Sequence, residues 1–398
     1  MKSSIPVKST GASFVNVRNE GSSILKFQLV NTNVSYANTL RRIILSEVPS
    51  VGFRAEILKD GSTSDVKILK NTTAMSNEML AHRIGLILIH ASPVDWVPEN
   101  YTFELHVENN SDKPLDVKVS DIEVKEKRDD EYVRVPNKEF FRPDPVSNDT
   151  CLLALLKPKV GNASPEVIHF TAKASVGIGR ENVRFSPTSQ CSYSYTQNDD
   201  PEKIQEVFND WLTRHKKVNY IDLESNSEKK SLYEREFKTM EIARCYQTNA
   251  KGEPNSFDFT IETAGAFRPI DIVIEALKVL EKKCDAYVGL GTNLPTNVKI
   301  QLTKKEAKGY DVYFQHEDHT LGNLFTTWMD EHYLDPNGIR EDFITYCGYC
   351  VPHPLRDEML MTIIAPNDLV CRKALAAAAV ATRDMFASWR ADLGNKRS

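Results

Sequence analysis

The tightest constraint on the fold of this chain is a pattern written twice, once near each end. One copy is Tyr36-Ala37-Asn38-Thr39-Leu40-Arg41-Arg42-Ile43-Ile44-Leu45, and the other is Glu317-Asp318-His319-Thr320-Leu321-Gly322-Asn323-Leu324-Phe325. Each has a polar start, a Thr-Leu step and then helix-forming apolar residues. Each follows a strand-like run, at 24–29 and 310–314. Such a repeat predicts two related modules in one polypeptide.

Periodicity along the chain extends the prediction. Residues 1–20 read as polar and frayed, and 22–29 alternate as a half-buried strand. Asn31, Asn33 and Ser35 are turn and N-cap types. A helix then runs to about Glu47 and stops before Pro49. A second helix is expected over 76–82, leaving as a strand over 84–90. Short alternating runs split by Pro, Asn, Asp and Gly mark 93–195 as a β-rich insert. Residues 199–236 are strongly charged and partly helical, with an Ile204, Val207, Phe208, Trp211 stripe. After a strand at 257–263, Pro269 opens a long helix whose Val273, Leu277, Leu280, Cys284 and Tyr287 form a heptad-like seam. A closing helix over 368–393 presents Leu375, Ala379, Thr382, Phe386, Trp389 and Leu393 on one face.

Together these readings predict an α+β fold in which two modules pair their long helices across a pseudo-twofold axis. The divisions are 1–92 for the first part of module one, 93–195 for the insert, 196–288 for the charged helical segment and the rest of module one, 289–297 for a linker, and 298–398 for a smaller second module. The expected intrachain dimerisation face comprises Leu40, Ile44, Val273, Leu277 and Leu280 against Leu321, Leu324, Leu375, Phe386 and Trp389.

Composition excludes several functions. The formal charge of −5 over 398 residues argues against a protein whose main task is gripping phosphate backbones. No run approaches the roughly 20 apolar residues of a membrane span, and residues 1–11 lack the apolar core of a signal peptide. Seven scattered cysteines do not form a secreted disulfide framework. A reducing intracellular compartment and no membrane contact are expected.

No convincing catalytic set stands out. Cys347-Gly348-Tyr349-Cys350 has the spacing of a redox pair or half a zinc site, but it lies in a strand-like run, and a redox thiolate needs activation such as a helix N-terminus gives. His353 could add a third ligand, with no fourth evident. Glu78 and His82, at i and i+4, share a helix face that reads as surface or a hydrogen-bonded pair. Gly177-Ile178-Gly179-Arg180 lacks the spacing of a phosphate loop and reads as a strand-end turn. Asp318 and Thr320 fit helix capping, so His319 needs no catalytic role. Arg41 and Arg42 point to different faces, where one could meet an acidic partner bidentately. Catalytic residues, cofactor and metal are all expected to be absent.

The chain resembles a known family over nearly its whole length. Residues 34–51 are similar to the α motif of the third-largest subunit of eukaryotic RNA polymerase II. Asn77-Glu78-Met79-Leu80-Ala81-His82-Arg83-Ile84-Gly85-Leu86-Ile87-Leu88 resembles that subunit's next block, 172–187 the end of its insert, and 262–269 the approach to its closing helix. Residues 317–324 and 348–355 resemble the small eleventh subunit. The resemblance implies a fusion of two α-like subunits, an arrangement that points to a large DNA virus. It implies a non-catalytic assembly platform that holds the largest and second-largest subunits, with small zinc-ribbon subunits nearby, no direct DNA contact and no homo-oligomer. The implied large-subunit face is Arg41, Arg42, Glu78, His82 and Arg83. A viral protein would work in virions and host cytoplasm, a cellular one in the nucleus. The family's cysteine cluster for zinc has no counterpart, because 92–150 contain no Cys, and the bacterial DNA-binding C-terminal domain has none either. Two other classes remain: a thiol oxidoreductase using Cys347 and Cys350, and a free DNA-binding regulator. Charge and the lack of helix-turn-helix or finger spacing count against the latter.

Overall fold

Twice the chain lays a helix across a four-stranded antiparallel sheet, and a longer helix then closes the unit. In the computed structural model, which describes residues 11–56, 64–129, 131–224, 226–303 and 309–397, the first unit starts with β1 (Ser13–Glu20), β2 (Ile24–Val30) and α1 (Val34–Ser46). Asn33 caps α1 by accepting the Ser35 N–H at 2.9 Å. The insert follows, with β3 (Pro49–Gly52), β4 (Val66–Asn71), α2 (Asn77–Gly85), β5 (Tyr101–Asn109), β6 (Leu115–Lys118), β7 (Glu123–Arg128), β8 (Glu131–Val135), β9 (Leu152–Leu156), β10 (Glu166–Ala172) and β11 (Ser175–Ile178). Then β12 (Thr188–Tyr195) returns to the first sheet. A charged arm, α3 (Pro201–Trp211), α4 (Tyr220–Glu224) and α5 (Ser227–Met240), leads to β13 (Ser256–Thr263) and α6 (Pro269–Asp285). The second unit is β14 (Val298–Leu302), β15 (Tyr310–Gln315), α7 (His319–His332), β16 (Tyr346–Cys350), β17 (Glu358–Ile364) and α8 (Asp368–Gly394).

The two main sheets have matching order, β1-β2-β13-β12 and β14-β15-β17-β16. The insert has its own five-stranded sheet, β4-β10-β5-β7-β8, and its own core around Phe53, Phe103, Leu105 and Phe170. The core of the two modules is a single cluster that runs from Phe14 to Leu393. A third, small cluster packs Phe208, Trp211 and Phe237 in the arm.

Several expectations are corrected. Residues 13–20 are not frayed. Phe14 packs 5.0 Å from Phe27 and 6.2 Å from Trp389, ring centroid to centroid, and its N–H bonds Asp392 at 2.8 Å. The partners that order this polar strand lie at the far end of the sequence; residues 1–10 lie outside the described residues. Residues 86–90 form no strand, because their backbone closes α2 and then meets only Phe140 (His90 N to O, 2.8 Å), with no ladder to join. The insert boundaries also move. β3, β4 and α2 share the insert's sheets and core, whereas β12 pairs with β13 (Cys191 opposite Ile261). The expected linker is partly structured: Val288–Gly291 forms a helical turn that buries Leu290.

The repeat itself shifts register. Asp318 caps α7 as Asn33 caps α1, accepting the Thr320 N–H at 2.7 Å. Counted from these caps, Thr32 corresponds to Glu317, Ala37 to Gly322, Asn38 to Asn323 and Arg41 to Thr326. The two Thr-Leu steps therefore lie one helical turn apart. The edge strands add a shared landmark, Cys191-Ser192-Tyr193 and Cys347-Gly348-Tyr349, each with its cysteine buried.

Candidate functional site: the pairing face and its rim

The pairing face starts with two amphipathic helices of matching pattern. The buried residues Ile272, Val273, Ala276, Leu277, Leu280 and Cys284 of α6 correspond one for one to Val370, Cys371, Ala374, Leu375, Ala378 and Thr382 of α8. The corresponding residues Cys284 and Thr382 touch each other, Oγ1 to Sγ at 3.4 Å. Their neighbours Asp285 and Arg383 form an ion pair at 3.1 Å. Residues meet their own counterparts only beside a twofold axis, so the pseudo-dyad crosses here. Arg390 grips Glu281 with two hydrogen bonds, 2.5 and 3.0 Å, further along the seam. All ten residues of the expected dimerisation face lie in this core, each no more than 1% exposed.

α1 and α7 reach across the dyad to each other's N-terminus. Arg42 donates to Thr320 Oγ1 at 2.9 Å and to Asp318 at 3.3 Å. In the opposite sense, Glu331 of α7 accepts from Asn33 at 2.9 Å and from the Tyr36 hydroxyl at 2.7 Å. Arg42, which the sequence places on the implied large-subunit face, makes these hydrogen bonds to the second module. Its neighbour Arg41 points to a different face, as adjacent helical residues do at 3.6 residues per turn. It donates through Nε to Asn38 at 3.0 Å and, among the described residues, has no carboxylate partner. It borders a groove of about 520 Å³ along the edge strand β12, lined by Asn38 and residues 191–195.

Between these contacts lies a charge cluster that the sequence reading missed. Lys283, near the end of α6, sits 3.1 Å from Glu47 and 2.9 Å from Glu317. Glu317 is 8% exposed and accepts the Tyr287 hydroxyl at 2.9 Å. Arg180 bridges Glu47 at 2.7 Å and Asp318 at 2.8 Å. The Gly177–Arg180 stretch is indeed a strand-end turn. Gly179 is required because a Cβ there would come 2.5 Å from the Leu45 carbonyl oxygen, and this approach lets the Arg180 N–H bond Ser46 O at 2.7 Å.

Burial pushes the Glu317 carboxyl up against the pull of Lys283. For Lys283, burial disfavours the charge, but the Glu317 and Glu47 carboxylates outweigh it and hold the ammonium above its ordinary value. Burial works against Asp318 as well. Hydrogen bonds from Thr320 and the Arg180 and Arg42 guanidiniums nevertheless keep its carboxyl below the usual range. The available signal was a lysine next to Cys284 at the end of an apolar heptad, and an acid placed between strand and N-cap.

The other candidates fall elsewhere. Glu78, His82 and Arg83 are exposed on α2, which belongs to the insert, and Arg83 donates to the Leu152 and Leu153 carbonyls at 2.7 and 2.9 Å. Cys347 and Cys350 both lie on β16. Cys347 faces the core, where burial pushes its thiol up to about 12, while Cys350 is exposed. A buried thiol raised in this way is not a redox nucleophile. Among the described residues no cluster of His, Cys, Asp or Glu could hold a metal ion, and no helix is long and apolar enough to cross a membrane.

Two equivalent units joined through one continuous core define a protein built on an internal pair of like modules. The chain belongs to the family of the RNA polymerase Rpb3/Rpb11 dimerisation domain: one model of that domain matches residues 26–284 and a second matches 310–391. It is similar to the DNA-directed RNA polymerase II subunit RPB3 of Schizosaccharomyces pombe, 26% identical over 321 residues, covering 77% of this chain and 98% of that protein. It is also similar to the DNA-directed RNA polymerases I and III subunit RPAC1 of Saccharomyces cerevisiae, 26% identical over 303 residues, with 68% and 85% covered. A conjugation stage-specific protein of Tetrahymena thermophila is 25% identical over 295 residues, with 65% and 89% covered.

Proposed function

We propose that this protein is the non-catalytic assembly platform of a multisubunit DNA-directed RNA polymerase, with both α-like subunits fused in one chain. The observation that carries the reading is the shared core, in which a complete pair of polymerase dimerisation domains is preassembled. The second-largest subunit docks on the first module, where Arg41, which has no carboxylate partner among the described residues, lies beside the edge strand β12. Glu78, His82 and Arg83 extend that face on the insert. The largest subunit engages the second module, and small zinc-ribbon subunits dock nearby. Arg42 contributes through the pairing face.

Arg41→Ala tests this. It should sharply reduce co-purification of the second-largest subunit while leaving the circular dichroism of the chain unchanged, and Arg41→Lys should restore binding only in part. Full recovery with Arg41→Ala would contradict the docking face. The fusion also supports a viral source, with the protein in virions and the cytoplasm of infected cells. Accumulation in the nucleus alone would contradict this.

A further inference from the structure

The two sides of the pseudo-dyad are not charged alike, and the difference has a direction. The first module brings Arg42, Lys283 and Arg180 to the rim with a single carboxylate, Glu47. The second brings Glu317 and Asp318. At the dyad-related places the charges vanish. Counted along α6 and α8, Lys283 corresponds to the buried Ala381; counted from the N-caps, Glu317 and Asp318 correspond to Thr32 and Asn33. One side of the seam is a cation-rich rim facing two carboxylates, and the other places neutral groups in the same positions.

We infer that the Lys283–Glu317 pair, flanked by Arg42, Arg180 and Asp318, is a pairing code that makes the unlike modules choose each other and rejects pairing of like modules between two chains. The physical reason follows from the correspondence. If two copies of the second module paired, each Glu317 would face Ala381, burying two carboxylates without a cation. If two copies of the first module paired, Lys283, Arg42 and Arg180 would face Thr32 and Asn33, would lose Glu317 and Asp318, and would leave three cations around the one carboxylate they bring with them, Glu47. Over the turns that α6 and α8 share, both helices bury small or apolar residues at corresponding positions, so the charges at the rim add a discrimination that burial at those positions does not make. Specificity obtained from charges that punish the wrong partner is a common use of buried polar groups. The inference concerns pairing alone and does not depend on how the large subunits dock.

The test uses the full chain in four forms: wild type, Lys283→Glu, Glu317→Lys, and both together. Lys283→Glu sets a third carboxylate beside Glu47 and Glu317, and Glu317→Lys sets a second ammonium beside Lys283, so the urea midpoint of each should fall below that of the wild type. The double variant restores an opposite-charge pair between positions 283 and 317, with Glu47 still beside position 283, and should recover part of the larger loss. Lys283→Glu and Glu317→Lys chains refolded together can satisfy both seams only by exchanging modules. They should give a species of twice the chain mass by sedimentation that neither variant gives alone. Should a variant fail to fold by itself, rescue in the mixture reads the code directly. Single variants as stable as the wild type, a double variant no better than the singles, or exchanged dimers formed as readily from wild-type chains would each overturn the inference.

Discussion

Leu277→Ala removes side-chain volume at the seam between α6 and α8, at a residue with no solvent exposure. Its counterpart Leu375 and the neighbouring Ala276 and Leu280 are equally enclosed, and both helices are pinned by the Arg390–Glu281 and Arg383–Asp285 contacts. The site therefore has little freedom to collapse, and the cost should be about 2–5 kcal/mol, the range for buried leucines. With a urea slope of roughly 2–3 kcal/mol per molar, the midpoint should drop by about 0.7–2.5 M. Tryptophan fluorescence can follow it selectively. Trp328 and Trp389 lie in the shared core, whereas Trp96 stacks on Tyr101 in the insert and Trp211 lies in the arm. With Trp96 and Trp211 replaced by Phe, the remaining signal reports the two modules. Because they share one core, Phe386→Ala on the other side should lower the same transition by about 3–5 kcal/mol. Leu105→Ala in the insert should leave it nearly unmoved. Both remaining tryptophans lie in the second module, on α7 and α8, whereas Leu277 lies in the first, so a Leu277→Ala midpoint within experimental scatter of the parent would refute the claim that this seam holds the modules together.

Three further outcomes are expected. Gly322→Ala should cost about 1–3 kcal/mol by overpacking, because its Cβ would come 2.4 Å from the Tyr349 ring; a differential scanning trace unchanged from the parent would contradict that contact. Stability should fall as pH rises above about 10. Burial and the acids Glu331 and Glu317 hold the Tyr36 and Tyr287 phenols above their ordinary values, and Lys283 is held high by its two carboxylates. Groups raised in the folded state contribute fully below their unfolded values and lose that contribution as pH climbs through the folded ones, so Tyr36→Phe combined with Tyr287→Phe should flatten the alkaline limb of a stability-versus-pH curve. Cys347→Ser with Cys350→Ser should leave polymerase assembly intact, and a maleimide should label Cys350 and Cys151 while sparing the five buried thiols of the native chain.

The parts of this fold that could be read from sequence were those governed by local periodicity. The heptad seam of α6, the one-sided face of α8 and the N-cap role of Asp318 all follow from neighbouring residues. What escaped was set by distant partners. β1 is polar in itself and is ordered by Phe27, Trp389 and Asp392. β12 reads as the last run of the insert, yet its ladder is completed by β13 after the charged arm. The Thr-Leu steps matched as letters, but capping geometry, which decides helical register, matches Asn33 to Asp318. The charge cluster escaped for the same reason: Lys283, Glu47, Glu317 and Arg180 are far apart in sequence, and each alone reads as surface. Arg41 and Arg42 were legible as a pair on different faces, but only the packed structure shows which of the two is already occupied.

The central claim, that one chain carries a preassembled pair of polymerase dimerisation domains and so organises the large subunits, is tested most directly by one experiment. The tagged full chain is purified from its native source under gentle conditions, sedimented on a gradient, and each fraction is assayed for its subunits by mass and for promoter-independent RNA synthesis. The account predicts a single large species in which one copy of this chain accompanies one copy each of the two largest polymerase subunits and RNA synthesis co-sediments. Chain that sediments only as a free protein or as a homodimer, with the large subunits and activity in other fractions, would contradict it.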